Sequence, residues 1–376
     1  MAKVILSAVG DVFVGGLLSE DVNKYKNTFL SEDILNILKT SQIRFCNLES
    51  PLCKVEQAPN HRKTLLHAKE ESIEFIKKAG FNVVSLANNH MMDFGGKSLE
   101  KTIKILDDNK IKHVGAGKTL SEARKPAVII SDDMKIAFLA YSWAIPQVKE
   151  GAIAATTRSP GVAPYNLEII KEDVIKAKKI VDFVIVSIHW QEEFSHYPPP
   201  ETIADAHKIT ESGADIILGH HPHVLQGYEE YNNNLIFYSL SNFIFSPWYA
   251  TNQGKSINYE REGRLRQWYK ERREGAIIKF SFNVKGIDYD IFPTYQETKT
   301  HRVIVLKNKD ADKIMKNIEK WSSEYTKDSY IDNYDKFVRR ENKLKFVKGV
   351  RNEIDTYGFK VTIGKAKAKI LKEKIE

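Results

Sequence analysis

Six polar clusters in this chain of 376 residues carry side chains able to do chemistry, and each follows a short apolar run. They are Gly10-Asp11; Asn47-Leu48-Glu49; Asn88-Asn89-His90 with Asp93 and Gly95; His189-Trp190-Gln191-Glu192-Glu193; Gly219-His220-His221-Pro222-His223; and Asn242 within Tyr238-Ser239-Leu240-Ser241-Asn242-Phe243. Each is weak alone. A Gly-Asp after a strand is ordinarily a capped turn, and a single His there is ordinarily a hydrogen-bonded rim residue. Their convergence carries the argument. If the strands share one edge, five of the eleven histidines (His90, His189, His220, His221, His223) meet two carboxylates and an amide. Imidazole, carboxylate and amide oxygen without thiolate suit a divalent Zn, Mn, Fe or Co.

Spacing adds detail. His221 and His223 flank Pro222, so an extended segment places both on one side, and both are expected ligands. His220 then points the other way, as a structural or a substrate contact. Asp11 and Glu49 are the acidic candidates. Two cations about 3.5–4 Å apart need a shared anionic ligand, and either carboxylate could bridge them. Ions held there lower the pKa of water and make hydroxide accessible near neutral pH. His90 differs, because Asp93 lies three residues on, one helical turn away. A carboxylate there orients the imidazole as a general acid for a leaving group. The competing reading of Asn89, His90 and Asp93 is a helix cap with an acidic partner. Arg62 and Lys63, before an expected helix, are weaker candidates for anion contact, since most surface charges are simply solvated.

The elements that must position these groups follow from hydrophobic patterning. Val4–Val9, Phe45–Leu48, Val83–Leu86, Lys135–Tyr141, Phe183–Ile188, Asp215–Leu218 and Leu235–Ser239 read as strands. Several lack alternation, as buried central strands do. Helical patterns lie between them at Ser31–Thr40, Lys69–Ala79, Ser98–Lys110, Leu167–Ile180 and Pro200–Ser212. This alternation predicts an α/β layered fold with ligands at the carboxyl ends of the strands. Residues 142–166, with three prolines and two glycines, read as a long loop. A strand pair is expected at Gly275–Asn283 and Gly286–Pro293, followed by a Lys-rich helical segment.

Composition narrows the class. With 42% hydrophobic and 28% charged residues the chain is an ordinary globular protein. Cys46 and Cys53 alone exclude a disulfide framework and a Cys-rich zinc module. No apolar run reaches the roughly 20 residues of a membrane-spanning helix. The apolar stretch Val4–Val9 is short for an export signal, so a cytoplasmic location is expected. The net charge of +8 resides in residues 301–376, which hold 20 Lys and Arg against 12 Asp and Glu; residues 1–300 hold 37 of each sign. A solvated helical face accounts for this excess more simply than a nucleic-acid surface.

With these residues assembled, the chain resembles the CapA family of capsule and poly-γ-glutamate biosynthesis proteins, built on the calcineurin-like metallophosphoesterase fold. The likeness runs from about Val4 to about Pro293. Its most specific pieces are Ala79-Gly80-Phe81-Asn82-Val83-Val84-Ser85-Leu86-Ala87-Asn88-Asn89-His90 and Gly213-Ala214-Asp215-Ile216-Ile217-Leu218-Gly219-His220-His221-Pro222-His223-Val224-Leu225-Gln226-Gly227. The resemblance implies a four-layer αββα sandwich over residues 1–300, with 301–376 as a basic, mainly helical extension. It also implies one or two divalent ions (Mn, Zn or Fe). Asp11, Asn47 with Glu49, Asn89, His189, His221 and His223 then form the metal set, His90 is the acid and Asp93 orients it. His220, Asn242 and Arg62 stand as substrate contacts. The implied activity is hydrolysis of a phosphoester, or secondarily an amide, on a small molecule or an anionic polymer, with nucleic acid disfavoured. The alternative is a polymer-binding accessory protein with little or no turnover. The chain departs from the family pattern in two places, with Gln191 after His-Trp and Ser241 before Asn-Phe where glycine is usual. Phe13 also stands where many phosphoesterases carry a second metal-binding His.

Overall fold

A computed structural model describes residues 3–16, 18–19, 29–54, 65–143, 153–246, 248–250, 256–258, 268–283 and 286–339. Arg62, part of the loop expected over 142–166, and residues 340–376 lie outside them. In chain order the strands of the body are β1 (Val4–Phe13), β2 (Ile43–Leu48), β3 (Val83–Ser85), β4 (Lys112–Val114), β5 (Ala127–Ser131), β6 (Met134–Ser142), β7 (Phe183–His189), β8 (Ile216–His220), β9 (Tyr228–Tyr231), β10 (Asn234–Phe237), β11 (Asn242–Phe245), β12 (Glu274–Asn283), β13 (Gly286–Gln296) and β14 (Val303–Val305). They form two sheets. The first has the order β14-β13-β12-β1-β2-β3-β4, with β11 also paired to β1; the second has the order β9-β10-β8-β7-β6-β5. Strands β1 to β4 run parallel, as do β6, β7, β8 and β10.

Period-two alternation sends each strand's side chains to two different cores. Leu6, Ala8 and Phe45 of the first sheet meet Phe138, Ile185 and Leu218 of the second in the layer between the sheets. On the outer face of the first sheet, Val9, Val12, Leu48 and Val84 pack against α1 (Glu32–Lys39), α2 (Ile73–Ala79) and α3 (Gly95–Asp108). On the outer face of the second, Leu139, Val186 and Ile217 pack against α4 (Leu167–Lys178) and α5 (Pro200–Glu211). Both faces of the central strands are therefore dry, which explains apolar runs without alternation. The result is a four-layer αββα sandwich. Local signals set the helix limits: the Ser31 and Asn166 side chains cap α1 and α4, and Gly80 closes α2 with a left-handed backbone.

The described part of the basic extension is docked. Strand β14 pairs with β13, and α6 (Asn308–Tyr325) buries Ile314 and Ile318 in the layer between the sheets. Lys309, Lys313, Lys316 and Lys320 face solvent, so this helix is amphipathic with a solvated basic side. Its far end clasps the loop after β7. Trp321 stacks on His196 at 4.2 Å, the Tyr325 hydroxyl donates to the His196 carbonyl, and Tyr330 donates to the Pro198 carbonyl at 2.8 Å. Ser322 Oγ accepts from the Tyr228 amide at 2.9 Å.

Candidate metal centre

The carboxyl ends of β1, β2, β7 and β8 open onto one edge of the sandwich, and the polar clusters meet there. Asp11 lies inside β1 rather than beyond its end. The strand pairing is irregular on both sides of it, against β2 and β11, and this turns Asp11 into the site. Gly10 is needed because any Cβ there would strike the Ser241 carbonyl. Gly219 is needed in the same way against the Tyr238 carbonyl.

Asp11 is fully buried at the hub. Its Oδ1 accepts from Asn47 Nδ2 at 2.8 Å and faces His220 Nδ1 at 3.1 Å, and its Oδ2 lies 3.5 Å from His223 Nδ1. His189 Nε2 reaches Asn89 Oδ1 at 3.0 Å and stands 3.9 Å from Glu49 Oε1; His223 Nε2 stands 3.6 Å from the same oxygen. Two sets of donor atoms result, each within 4.8 Å of one another: Asp11, Glu49 and His189, and Glu49, His221 and His223. Glu49 belongs to both. Both of its oxygens and His221 Nδ1 are buried without a hydrogen-bond partner. A buried carboxylate with no donor is costly, and a divalent cation would remove that cost. The residues therefore fit a divalent metal, with Glu49 common to both candidate donor sets.

The electrostatics agree. Burial and the charge of Asp11 push the Glu49 carboxyl well above its ordinary pKa. Burial also raises Asp11, but the His220 hydrogen bond and the surrounding imidazoles outweigh it and hold Asp11 below the usual carboxylate range. Burial drives the pKa of His189 and His221 down, and that of His223 to about 4 with help from the Arg272 charge. These imidazoles are thus neutral at physiological pH, the form in which they bind metal.

His221 and His223 do share the site, but not through an extended segment. Their φ angles are 94° and 55°, so two left-handed residues around Pro222 aim the rings. Gln191 and Ser241 also have left-handed φ values of 70° and 59°. Each makes a compensating contact: Gln191 Oε1 accepts from Gln226 at 2.8 Å, and Ser241 Oγ donates to the His223 carbonyl at 3.1 Å. Such backbone strain costs roughly 1–3 kcal/mol and concentrates at functional sites.

His90 stands at the rim with Nδ1 2.8 Å from Asp93 Oδ2, which also accepts from the Leu66 amide at 2.8 Å. Asn88 pins this turn: its amide donates to the Leu48 carbonyl at 2.9 Å, and its Oδ1 accepts from the His90 and Met91 amides.

Three expected roles change. His220 is fully buried against Phe45 and holds Asp11 from behind, so it supports a ligand and does not face substrate. Asn242 is used at both ends. Its Oδ1 faces His223 Nδ1 at 2.8 Å and its Nδ2 donates to the Arg272 carbonyl at 2.9 Å, so it orients His223 and is no substrate contact. Asn47 turns its nitrogen to Asp11 and His189, while its oxygen accepts from Asn88; it aligns two ligands and offers no open oxygen. Sequence reasoning missed Glu193 and Arg272. Glu193 lies at the rim, where desolvation by its surroundings opposes ionisation but His223, His221, Arg272 and His90 together lower its pKa. Its place at the end of the polar cluster that begins with His189 was the available signal. Arg272 lies in a stretch rich in Arg, Tyr and Trp that gave no register.

The family model of the bacterial capsule synthesis protein PGA_cap matches residues 5–247. The chain belongs to this family. Among CapA relatives, the capsule biosynthesis protein CapA of Bacillus anthracis is 35% identical over 266 residues, covering 68% of this chain and 64% of that one. The PGA biosynthesis protein CapA of Bacillus subtilis (strain 168) is 32% identical over 260 residues, covering 68% and 67%. The match thus spans less than two thirds of the Bacillus anthracis CapA. A solved 5'-nucleotidase of Candida albicans SC5314 superposes with a TM-score of 0.40 at 9% identity, covering 91% of this chain and 57% of that one. Among the described residues, no helix is long and apolar enough to cross a membrane.

Proposed function

We propose that this CapA-family chain is a metal-dependent hydrolase of the phosphoesterase type that serves the making of a capsular or poly-γ-glutamate polymer. Glu49 carries the reading: a buried carboxylate common to two donor sets, with no donor on either oxygen. Asp11, Glu49 and His189 would hold one ion and Glu49, His221 and His223 the other, with Asn89 beside His189. Divalent ions bound there supply Lewis acidity and a lowered pKa for water. The chain's own groups do the rest. Asn47 and His220 fix Asp11, and Asn242 fixes His223 so that its Nε2 faces Glu49. Asp93 holds His90 by Nδ1, leaving Nε2 to deliver a proton to the departing oxygen, or to a departing nitrogen if the bond is an amide. The substrate is a small molecule or an anionic polymer. The division into a catalytic body over 1–300 and a supporting extension over 301–376 belongs to the same proposal.

The test is metal content after manganese loading and gel filtration, with turnover of a phosphodiester bearing an alkoxide leaving group. D11N and H221A should lose metal and activity together. H90Q should keep its metal and lose about 10²–10⁴-fold in turnover. A wild-type chain that takes up no metal at any pH yet binds polyglutamate is instead an accessory polymer-binding protein.

A further inference from the structure

Arg272 brings a half-buried guanidinium to the mouth of the centre, and its setting is specific. Its Cζ lies 4.8 Å from the Phe194 ring centroid and 5.7 Å from that of Phe245. Both rings contact His223: Phe194 stacks on it at 6.2 Å, and Phe245 meets it edge-on at 4.9 Å. The Arg272 carbonyl accepts from Asn242, the residue that orients His223. Backbone and side chain are thus both tied to one metal-facing imidazole. Yet among the described residues no carboxylate lies within ion-pair distance of the guanidinium, whereas Arg124, also half-buried, pairs with Asp173 and Glu172. Two aromatic faces hold the cation in place without neutralising it, which leaves its planar set of donors for a partner from outside.

We propose that Arg272 seats an anionic oxygen group of the substrate, a phosphate or a carboxylate, on the His223 side of the centre, and so makes the site selective for anionic substrates. A guanidinium suits either oxyanion through paired N–H donors. The position also explains the rim loop: Phe194 is one of the two rings that carry the cation, and its amide is anchored on the Pro222 carbonyl at 2.7 Å. Glu193, next in sequence, puts a negative charge at the same mouth and disfavours a second anion there. This inference rests on the metal-dependent hydrolase reading.

The experiment uses the full chain loaded with manganese and titrated calorimetrically with inorganic phosphate and, separately, with glutarate. In wild type at least one of the two should bind. R272Q should weaken that binding about 10- to 100-fold with manganese content unchanged, the loss expected for a charge-assisted contact. R272K, which keeps the charge but not the fork, should fall between, and it serves as the reporter if R272Q does not fold. Phosphate alone, or glutarate alone, responding to R272Q identifies which oxyanion is seated. Unchanged binding of both in R272Q, or no binding of either by loaded wild type, overturns the assignment. Failure of the parent reading shows separately, as a wild-type chain that takes up no manganese, and removes this inference with it.

Discussion

Replacing Glu49 by Gln should stabilise the metal-free chain and at the same time abolish its stabilisation by metal. The two effects share one origin. Without ions, Glu49 is a fully buried carboxyl beside Asp11, and burial and that neighbour raise its pKa. An acid whose pKa is raised on folding destabilises the native state as pH climbs above its unfolded value of about 4.3. The loss is roughly 1.4 kcal/mol for every pH unit over which only the folded state keeps the proton. Gln carries no charge, and its amide can donate to Asp11, a contact to a charged group worth about 1.5–3 kcal/mol. A gain of a few kcal/mol at pH 7.5 is therefore expected, and each kcal/mol raises Tm by only about 1 °C in a chain of this size. With manganese at a thousandfold excess over its Kd, wild type should instead gain about 4 kcal/mol, and E49Q, lacking the shared ligand, almost none. Thermal melts of both proteins in EDTA and in manganese give all four values. A metal-free E49Q that melts below wild type, or one that keeps the manganese shift, refutes the assignment of Glu49 as a common ligand. The charge-dependent part of the metal-free E49Q advantage should also shrink as pH falls below about 4.3, where Glu49 becomes protonated in both states.

N242A removes the acceptor that fixes His223 and should weaken manganese binding about 10–100-fold by calorimetry, with no loss of His90 function. In the metal-free chain His223 has a pKa lowered to about 4, so the unfolded state takes up its proton first as pH falls below about 6.5, and stability is lost down to about pH 4. The unfolding free energy of wild type relative to H223Q, from urea titrations, should therefore fall between pH 7.5 and pH 5, by about 2 kcal/mol; a difference that stays flat or rises contradicts the buried neutral imidazole. Taking that difference cancels the opposite trend of Glu49.

Much of this arrangement was legible in the residues. The strand at Phe183 and the helix at Pro200 lie within a residue or two of their expected limits, because dry faces and Pro at the first helical position are local signals. The gathering of Asp11, Glu49, His189, His221 and His223 could be expected because parallel strands bring the residues at their carboxyl ends to one edge. What escaped depends on contacts between distant segments. The supporting roles of His220 and Asn242 hang on which ring nitrogen meets which oxygen, and no spacing encodes that. The left-handed backbone at His221 and His223 defeats an argument from alternation, since a Pro between two histidines fits an extended segment equally well. Arg272 finds its aromatic seat only when the loop after β7, strand β11 and the start of β12 come together. The integration of α6 was hidden by its lysines, which mask a buried pair, Ile314 and Ile318, one turn apart.

The clasp formed by Trp321, Ser322, Tyr325 and Tyr330 has a consequence for how such a protein can diversify. The loop it grips presents Glu193 and Phe194 but no metal-facing imidazole beyond His189 at its root. Changes near the far end of the described chain can therefore reach the mouth through Glu193, and His223 through Phe194, which stacks on that ring and anchors its own amide on the Pro222 carbonyl. Selectivity and metal retention are thus linked through one loop, and a segment with no ligand of its own becomes the tuning screw of the doorway.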